Sequence, residues 1–168
     1  MEIPREPIRG ACVWTGAQMA RTGEWIVHLS SAVLADIDAA LARVRARGIA
    51  TLDIRCGDFP LPAFEPLVAG IQRELEDGRG FCMLRGIAME RYSVDDAETV
   101  CWGICSHLGD AVSQNARGEL LAHVRDMGLT FGDPQVRGYE TRSWLFFHND
   151  NGDVVGLFCV RPAKSGGV

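Results

Sequence analysis

The feature that most restricts what this chain can fold into is a change of hydrophobic period at Gly109. Before that residue the apolar positions recur at helical spacing, in blocks that close on glycine, two of them opening on serine. After it they fall into short runs separated by Gly128, Gly132-Asp133-Pro134, Gly138 and Gly152, the punctuation of strands and turns. A chain with this order of periods builds helices first and a sheet second, an α+β arrangement. Its 168 residues suit a single domain with a sizeable core. No repeat, low-complexity tract or linker divides it. The boundary therefore separates two layers of one domain, helix-rich over 1–109 and strand-forming over 110–168.

Within the first layer, Ser30-Ser31 opens a helix whose buried face holds Val33, Leu34, Ile37, Ala40, Leu41 and Val44, and Gly48 closes it. A second helix runs from about residue 63 to 77, with Phe64, Leu67, Val68, Ile71 and Leu75 on one side. A third starts at Ser93-Val94-Asp95-Asp96, where a serine cap and an acidic first turn suit the helix dipole. Its buried stripe reads Val94, Ala97, Val100, Cys101, Ile104, Cys105 and Leu108. Short strands are predicted at 49–54 and 81–86, and 24–29 reads as a short strand or a lead into the first helix, with Trp14 and Trp25 as packing anchors. In the second layer, 111–115, 119–126, 141–150 and 154–160 read as strands. Their mixture of alternating and fully apolar runs suits an antiparallel sandwich or barrel.

Charge excludes some partners. A net charge of −5 and scattered basic residues argue against nucleic acid and acidic membrane surfaces. Arg43, Arg45 and Arg47 share a helix with Asp36 and Asp38 and read as a solvated face. No apolar run approaches the ~20 residues of a membrane span, and the polar start lacks a signal-peptide core. The six cysteines show no paired spacing, which points to reduced thiols in a cytoplasmic protein. Cys101 and Cys105 lie one helical turn apart, where packing is a better account than metal binding.

The chemistry concentrates in Ser143-Trp144-Leu145-Phe146-Phe147-His148-Asn149-Asp150. On a strand, residues i and i+2 face the same way, so His148 and Asp150 can grip one ion together. Such a pair supplies two of the three ligands of a 2-His-1-carboxylate facial triad. The competing reading is a strand histidine hydrogen-bonded to Asp150. Trp144 and Phe146 share parity with His148 and line either a substrate cavity or plain core. His123 reads as a solvent-face strand residue, and His107 as a partner of its helix dipole. Lys164-Ser165-Gly166-Gly167 lacks the rest of a phosphate loop.

Several segments together carry a family resemblance. In order they are Gly80-Phe-Cys-Met-Leu-Arg-Gly86, Leu108-Gly109, Gln114-Asn115 with Gly118-Glu-Leu-Leu, Val124-Arg-Asp126, His148-Asn-Asp150, Asp153-Val-Val-Gly-Leu157 and Arg161-Pro-Ala-Lys-Ser-Gly-Gly167. The succession resembles the taurine catabolism dioxygenase family of Fe(II)/2-oxoglutarate-dependent oxygenases, within the clavaminate synthase-like superfamily. The resemblance implies N-terminal helices packed on a double-stranded β-helix, or jelly roll, that holds Fe(II) between its sheets. It implies His148 and Asp150 as catalytic metal ligands, with 2-oxoglutarate chelating the iron and O2 as co-substrate. The implied reaction is hydroxylation or oxidation of a small polar organic substrate, with succinate and CO2 as co-products. Gln114 and Asn115 fall where related enzymes place polar pocket residues, a turn or cap role being the alternative.

The sequence departs from the family's pattern downstream. The family's distal histidine ligand and its 2-oxoglutarate-binding arginine lie far beyond the His-x-Asp motif. Eighteen residues follow Asp150 and none is histidine. Arg161 precedes Pro162 and takes no cofactor role, so the cofactor-binding residues stay unassigned. The expectation is an incomplete jelly roll, with bare sheet edges that favour a homo-oligomer or a missing C-terminal portion as partner. A non-catalytic remnant or interaction domain keeping the first half of the fold is the alternative, and a small redox-inactive metal-binding β-sandwich is a third reading.

Overall fold

Side-chain caps set the helices of the first half. Thr15 accepts from the Gln18 amide and starts the short α1, Gly16–Met19. Ser30 accepts from Val33 N at the head of α2, Ser31–Arg47, which ends on Gly48 in the left-handed region at φ 63°. Phe64 leads into α3, Glu65–Glu76, without a side-chain cap but with a proline in the first turn. Ser93 and Asp96 form a reciprocal capping box on α4, Val94–Cys105. The computed structural model describes residues 6–113, 115, 117–132, 136–145, 147–150 and 152–162. They fall into two compact units, Met1–Asp110 with Leu157–Val168, and Ala111–Gly156.

The first unit is built on α2. Its Val33, Ile37, Ala40, Leu41 and Val44 are buried, as are Ile54, Phe59, Leu61 and Phe64 of the following segment, Ile71 of α3, and Ala97, Val100, Trp102 and Ile104 of α4. Each large side chain so buried contributes about 1.5–3 kcal/mol. Strand β1, Ile26–His28, pairs in parallel with β2, Met83–Arg85, in the register Ile26 to Met83 and His28 to Arg85. The crossover between them holds α2 and α3, as parallel pairing requires. Trp25 and Trp14 act as the anticipated anchors. Their rings stack at a tilt on Phe81, and their indole N–H groups donate to backbone carbonyls at Thr22 and Arg79.

Two local expectations change. Residues 49–54 were predicted to be a strand, yet Thr51–Asp53 is a 3-10 turn. Its amides bond locally, Asp53 N to Ala50 O and Ile54 N to Thr51 O, because no adjacent strand offers partners. On α4, Val94 is half exposed, whereas Trp102 and Gly103 are buried. The Trp102 indole donates to Ile54 O at 3.0 Å, which draws that side of the helix inward. No helix among the described residues is long and apolar enough to cross a membrane.

The second unit corrects the sheet expectation. Among the described residues no strand follows Arg85, and the double-stranded β-helix is not seen. The described parts of 111–115, 119–126, 141–150 and 154–160 are turns, bends and irregular backbone. Gly138–Glu140 forms a 3-10 turn, beside which Arg125 N donates to Tyr139 O and Met127 N to Glu140 O. The fold class observed is α+β through four helices and one small parallel sheet among the described residues. Alternating residues give a strand two faces, but a sheet also needs a partner for each edge and cover for its apolar side. Here Val112, Val124, Phe131, Trp144, Phe147, Val154 and Val155 all stay exposed.

Candidate functional site

His148 and Asp150 lie in the second unit on irregular backbone. The shared face that a strand would give them is not enforced by a sheet, yet the two side chains do converge. His148 Nε2 is 3.8 Å from Asp150 Oδ1, and each side chain is more than half exposed. An imidazole lone pair and a carboxylate are the donor types of an Fe(II) site. Neighbouring ligands on one octahedral ion of this size sit roughly 3 Å apart, so a gap of 3.8 Å closes with a small rotation. The donor pair therefore fits two positions of the expected triad. No group of three His, Cys, Asp or Glu side chains gathers among the described residues, so a third position has no candidate among them.

The other anticipated residues fall in different settings. Trp144 is 75% exposed. Gln114 and Phe146 lie outside the described residues. Asn115 is built into a turn: its Oδ1 accepts from Arg117 N at 3.0 Å and Glu119 N at 3.4 Å, the pattern by which an Asn side chain imitates a backbone turn. Its amide also donates to Glu119 and to the Tyr139 hydroxyl. The Arg117 guanidinium, then Asn115, hold the Glu119 carboxyl below its ordinary range. Asn115 thus holds the amides of Arg117 and Glu119 with its side chain.

A shallow depression in the same unit has Asp126, Leu129, Phe131, Arg142 and Ser143 among its walls. Asp126 accepts from Gly128 N at 2.8 Å and from Arg142 Nε at 2.6 Å. The Gly128 amide and then the Arg142 charge outweigh desolvation and keep this carboxyl below the usual carboxylate range. The sequence reading recognised Val124-Arg-Asp126 only as part of an ordered pattern. Asp126 and Arg142 are sixteen residues apart, and nothing local marks them as partners.

Chemistry-bearing groups also occur in the first unit. All six cysteines are free thiols. Cys101 and Cys105 hydrogen-bond to one another, which lowers the Cys105 thiol and, with burial, raises that of Cys101. Cys56 lies against His107 at 3.2 Å, a pairing across 51 residues that no spacing in the sequence announces.

Residues 45–168 match the Taurine catabolism dioxygenase TauD, TfdA family. The chain is 34% identical over 168 residues to FR-33289 synthase of Streptomyces rubellomurinus (strain ATCC 31215), covering 99% of this chain and 50% of that protein. It is 29% identical over 161 residues to the taurine hydroxylase-like protein SAT17 of Stachybotrys chartarum (strain CBS 109288 / IBT 7711), covering 92% and 42%. The chain spans about half the length of these curated relatives. The family match takes in most of the chain, including His148-Asn149-Asp150 and both of its flanks, and the chain belongs to the TauD, TfdA family.

Proposed function

We propose that this chain carries part of the active site of an Fe(II)/2-oxoglutarate-dependent dioxygenase that hydroxylates or oxidises a small polar organic molecule. Family membership implies a non-haem Fe(II) and 2-oxoglutarate oxygenase. The observation that carries the reading is the family match across 45–168, with His148 and Asp150 inside it and their donor atoms already within 3.8 Å. When bound, iron and 2-oxoglutarate supply the O2-dependent oxidation, with succinate and CO2 as co-products. The residues do simpler work. His148 would offer an imidazole nitrogen to the ion, and Asp150 a carboxylate oxygen. The family resemblance assigns Trp144, Phe146, Gln114 and Asn115 to the substrate pocket.

The same reading makes 1–109 a helix-rich layer and 110–168 the first strands of a jelly roll within one domain. The exposed apolar side chains of 111–162 support it, since they are the kind of surface that sheet pairing and a second layer would cover.

Anaerobic titration of the protein with Fe(II) in the presence of 2-oxoglutarate tests the reading. A weak visible charge-transfer band should develop, and admitting air should release succinate. His148→Ala and Asp150→Ala should each lower iron affinity by at least about tenfold. No band and no succinate from the unaltered protein would remove the catalytic reading, and a band unchanged in His148→Ala would remove that residue from the site.

A further inference from the structure

We propose that the depression around Arg142 is a binding site for small carboxylates that carry a short apolar body. The site starts from a local turn. In Asp126-Met127-Gly128 the aspartate accepts from the amide two residues on, at 2.8 Å, and Gly128 takes a left-handed φ of 71°. This is the turn in which an Asp side chain stands in for backbone. It fixes Asp126, whose second oxygen takes the Arg142 Nε at 2.6 Å. The ion pair joins the two segments that wall the depression, 126–131 and 142–143.

Unfilled hydrogen-bonding groups set the ligand. Both Asp126 oxygens are engaged, one by Gly128 N and one by Arg142 Nε. Arg142 has five N–H donors, and among the described residues only the Nε one is taken. Its side chain is 85% exposed, so the end of the fork, Nη1 and Nη2, stays open. The hydroxyls of Thr130 and Ser143 line the same depression and add two further donors. What these side chains offer a ligand is chiefly N–H and O–H, and their complement is an accepting anion. Asp126 holds the Nε side of the guanidinium and nearly balances its charge, so geometry selects the ligand more than net charge does. A planar carboxylate matches the paired Nη–H groups.

The apolar body follows from Leu129 and Phe131. They are 45% and 52% exposed and stand in the wall of a depression of about 460 Å³, a volume within the range of small-molecule sites. An aliphatic or aromatic group laid on them removes apolar surface from water.

Other arginines lack this combination. Arg79 donates through Nη1 to Glu74 and through Nη2 to Glu24, which occupies both arms of its fork. Arg117 meets Glu119 through Nε and Nη2, and Glu140 through Nη2, so two carboxylates already surround it. Binding of a carboxylate at Arg142 needs neither iron nor 2-oxoglutarate, and it stands or falls separately from the dioxygenase reading.

The test is an NMR titration of the isotope-labelled, iron-free protein at neutral pH with phenylacetate. Phenylacetamide serves as its neutral counterpart and phenethylamine as its cationic one. Phenylacetate should bind at least about tenfold tighter than phenylacetamide, as charge-assisted hydrogen bonds require, and phenethylamine should bind most weakly. The amide signals of Gly128, Leu129 and Ser143 should move with phenylacetate. Arg142→Gln should bring acid and amide to equal affinity. Arg142→Lys, which keeps the charge without the fork, should lose most of the preference. Phe131→Ala should weaken acid and amide alike, by several-fold. Equal affinity for acid and amide in the unaltered protein, or shifts confined to residues outside the depression, overturns the proposal whether or not the variants fold. A preference that survives in folded Arg142→Gln overturns the role of the guanidinium.

Discussion

Tyr92 ties the approach to α4 onto α2. Its hydroxyl donates to Asp38 Oδ1 at 2.5 Å, while Arg91 donates to Asp38 Oδ2 at 2.8 Å. Partial burial, followed by the bond to Asp38, pushes the phenol from 10.0 up to about 12. A raised acid favours its neutral form in the folded state. The associated stability is complete below pH 10, declines as pH rises, and is gone above about 12. Chemical denaturation between those limits should show a falling stability that Tyr92→Phe largely flattens. At neutral pH the same variant should cost about 1 kcal/mol for the lost hydrogen bond. An unchanged alkaline slope in Tyr92→Phe would assign it to other groups. Residue partnerships of this kind were poorly legible in the sequence. Asp38 and the arginines of α2 read only as a mixed solvated face, whereas Arg45 pairs with Asp96, Arg47 with Asp58, and Arg91 with Asp38. His148 and Asp150 were visible because they are two residues apart. Cys56 and His107 were not, because folding alone brings them together.

At the scale of elements, α3 and α4 each contain a glycine, and the two should respond in opposite ways to alanine. A Cβ at Gly103 of α4 would run into the Phe59 ring, which is 0% exposed and has nowhere to move. Overpacking of this sort costs about 1–3 kcal/mol, more than the ~1 kcal/mol that helix propensity returns. Gly103→Ala should therefore destabilise. Gly70 of α3 has open space where its Cβ would be, so Gly70→Ala should stabilise by up to about 1 kcal/mol. Denaturation midpoints measured in parallel check both, and stabilisation by Gly103→Ala would contradict the α4–Phe59 packing. The helices themselves were legible because their signals are local. Ser30, Gly48 and Ser93 mark ends, and the 3.6-residue period marks the buried face of α2. The interior of α4 was less so. Val94 entered the predicted stripe by spacing, whereas Trp102 is drawn inward by a carbonyl at Ile54, 48 residues away.

Across the whole molecule, backbone satisfaction divides the chain more sharply than hydrophobicity does. The helix interiors of α2 and α4 bond their own amides and sit on the main core. By contrast, 147–150 and 152–156 form no helix or strand, and Phe147, Val154 and Val155 are exposed. This is also where the sequence reading of strands was least fulfilled. Alternation is local, but a sheet is made by distant segments meeting in register, and the family's jelly roll is a property of that meeting. Hydrogen exchange follows local opening directly. Mid-helix amides of α2 and α4 should stay protected for far longer than those of 147–150 and 152–156, which should exchange in the earliest labelling times at neutral pH. Adding Fe(II) with 2-oxoglutarate under anaerobic conditions should slow exchange in the peptide containing His148 and Asp150 and leave α2 unchanged. Protection in 147–156 equal to that of α2 before any addition would mean that these residues pair as strands in solution, contrary to the arrangement described. Exchange there that ignores the metal and 2-oxoglutarate would count against His148 and Asp150 as ligands.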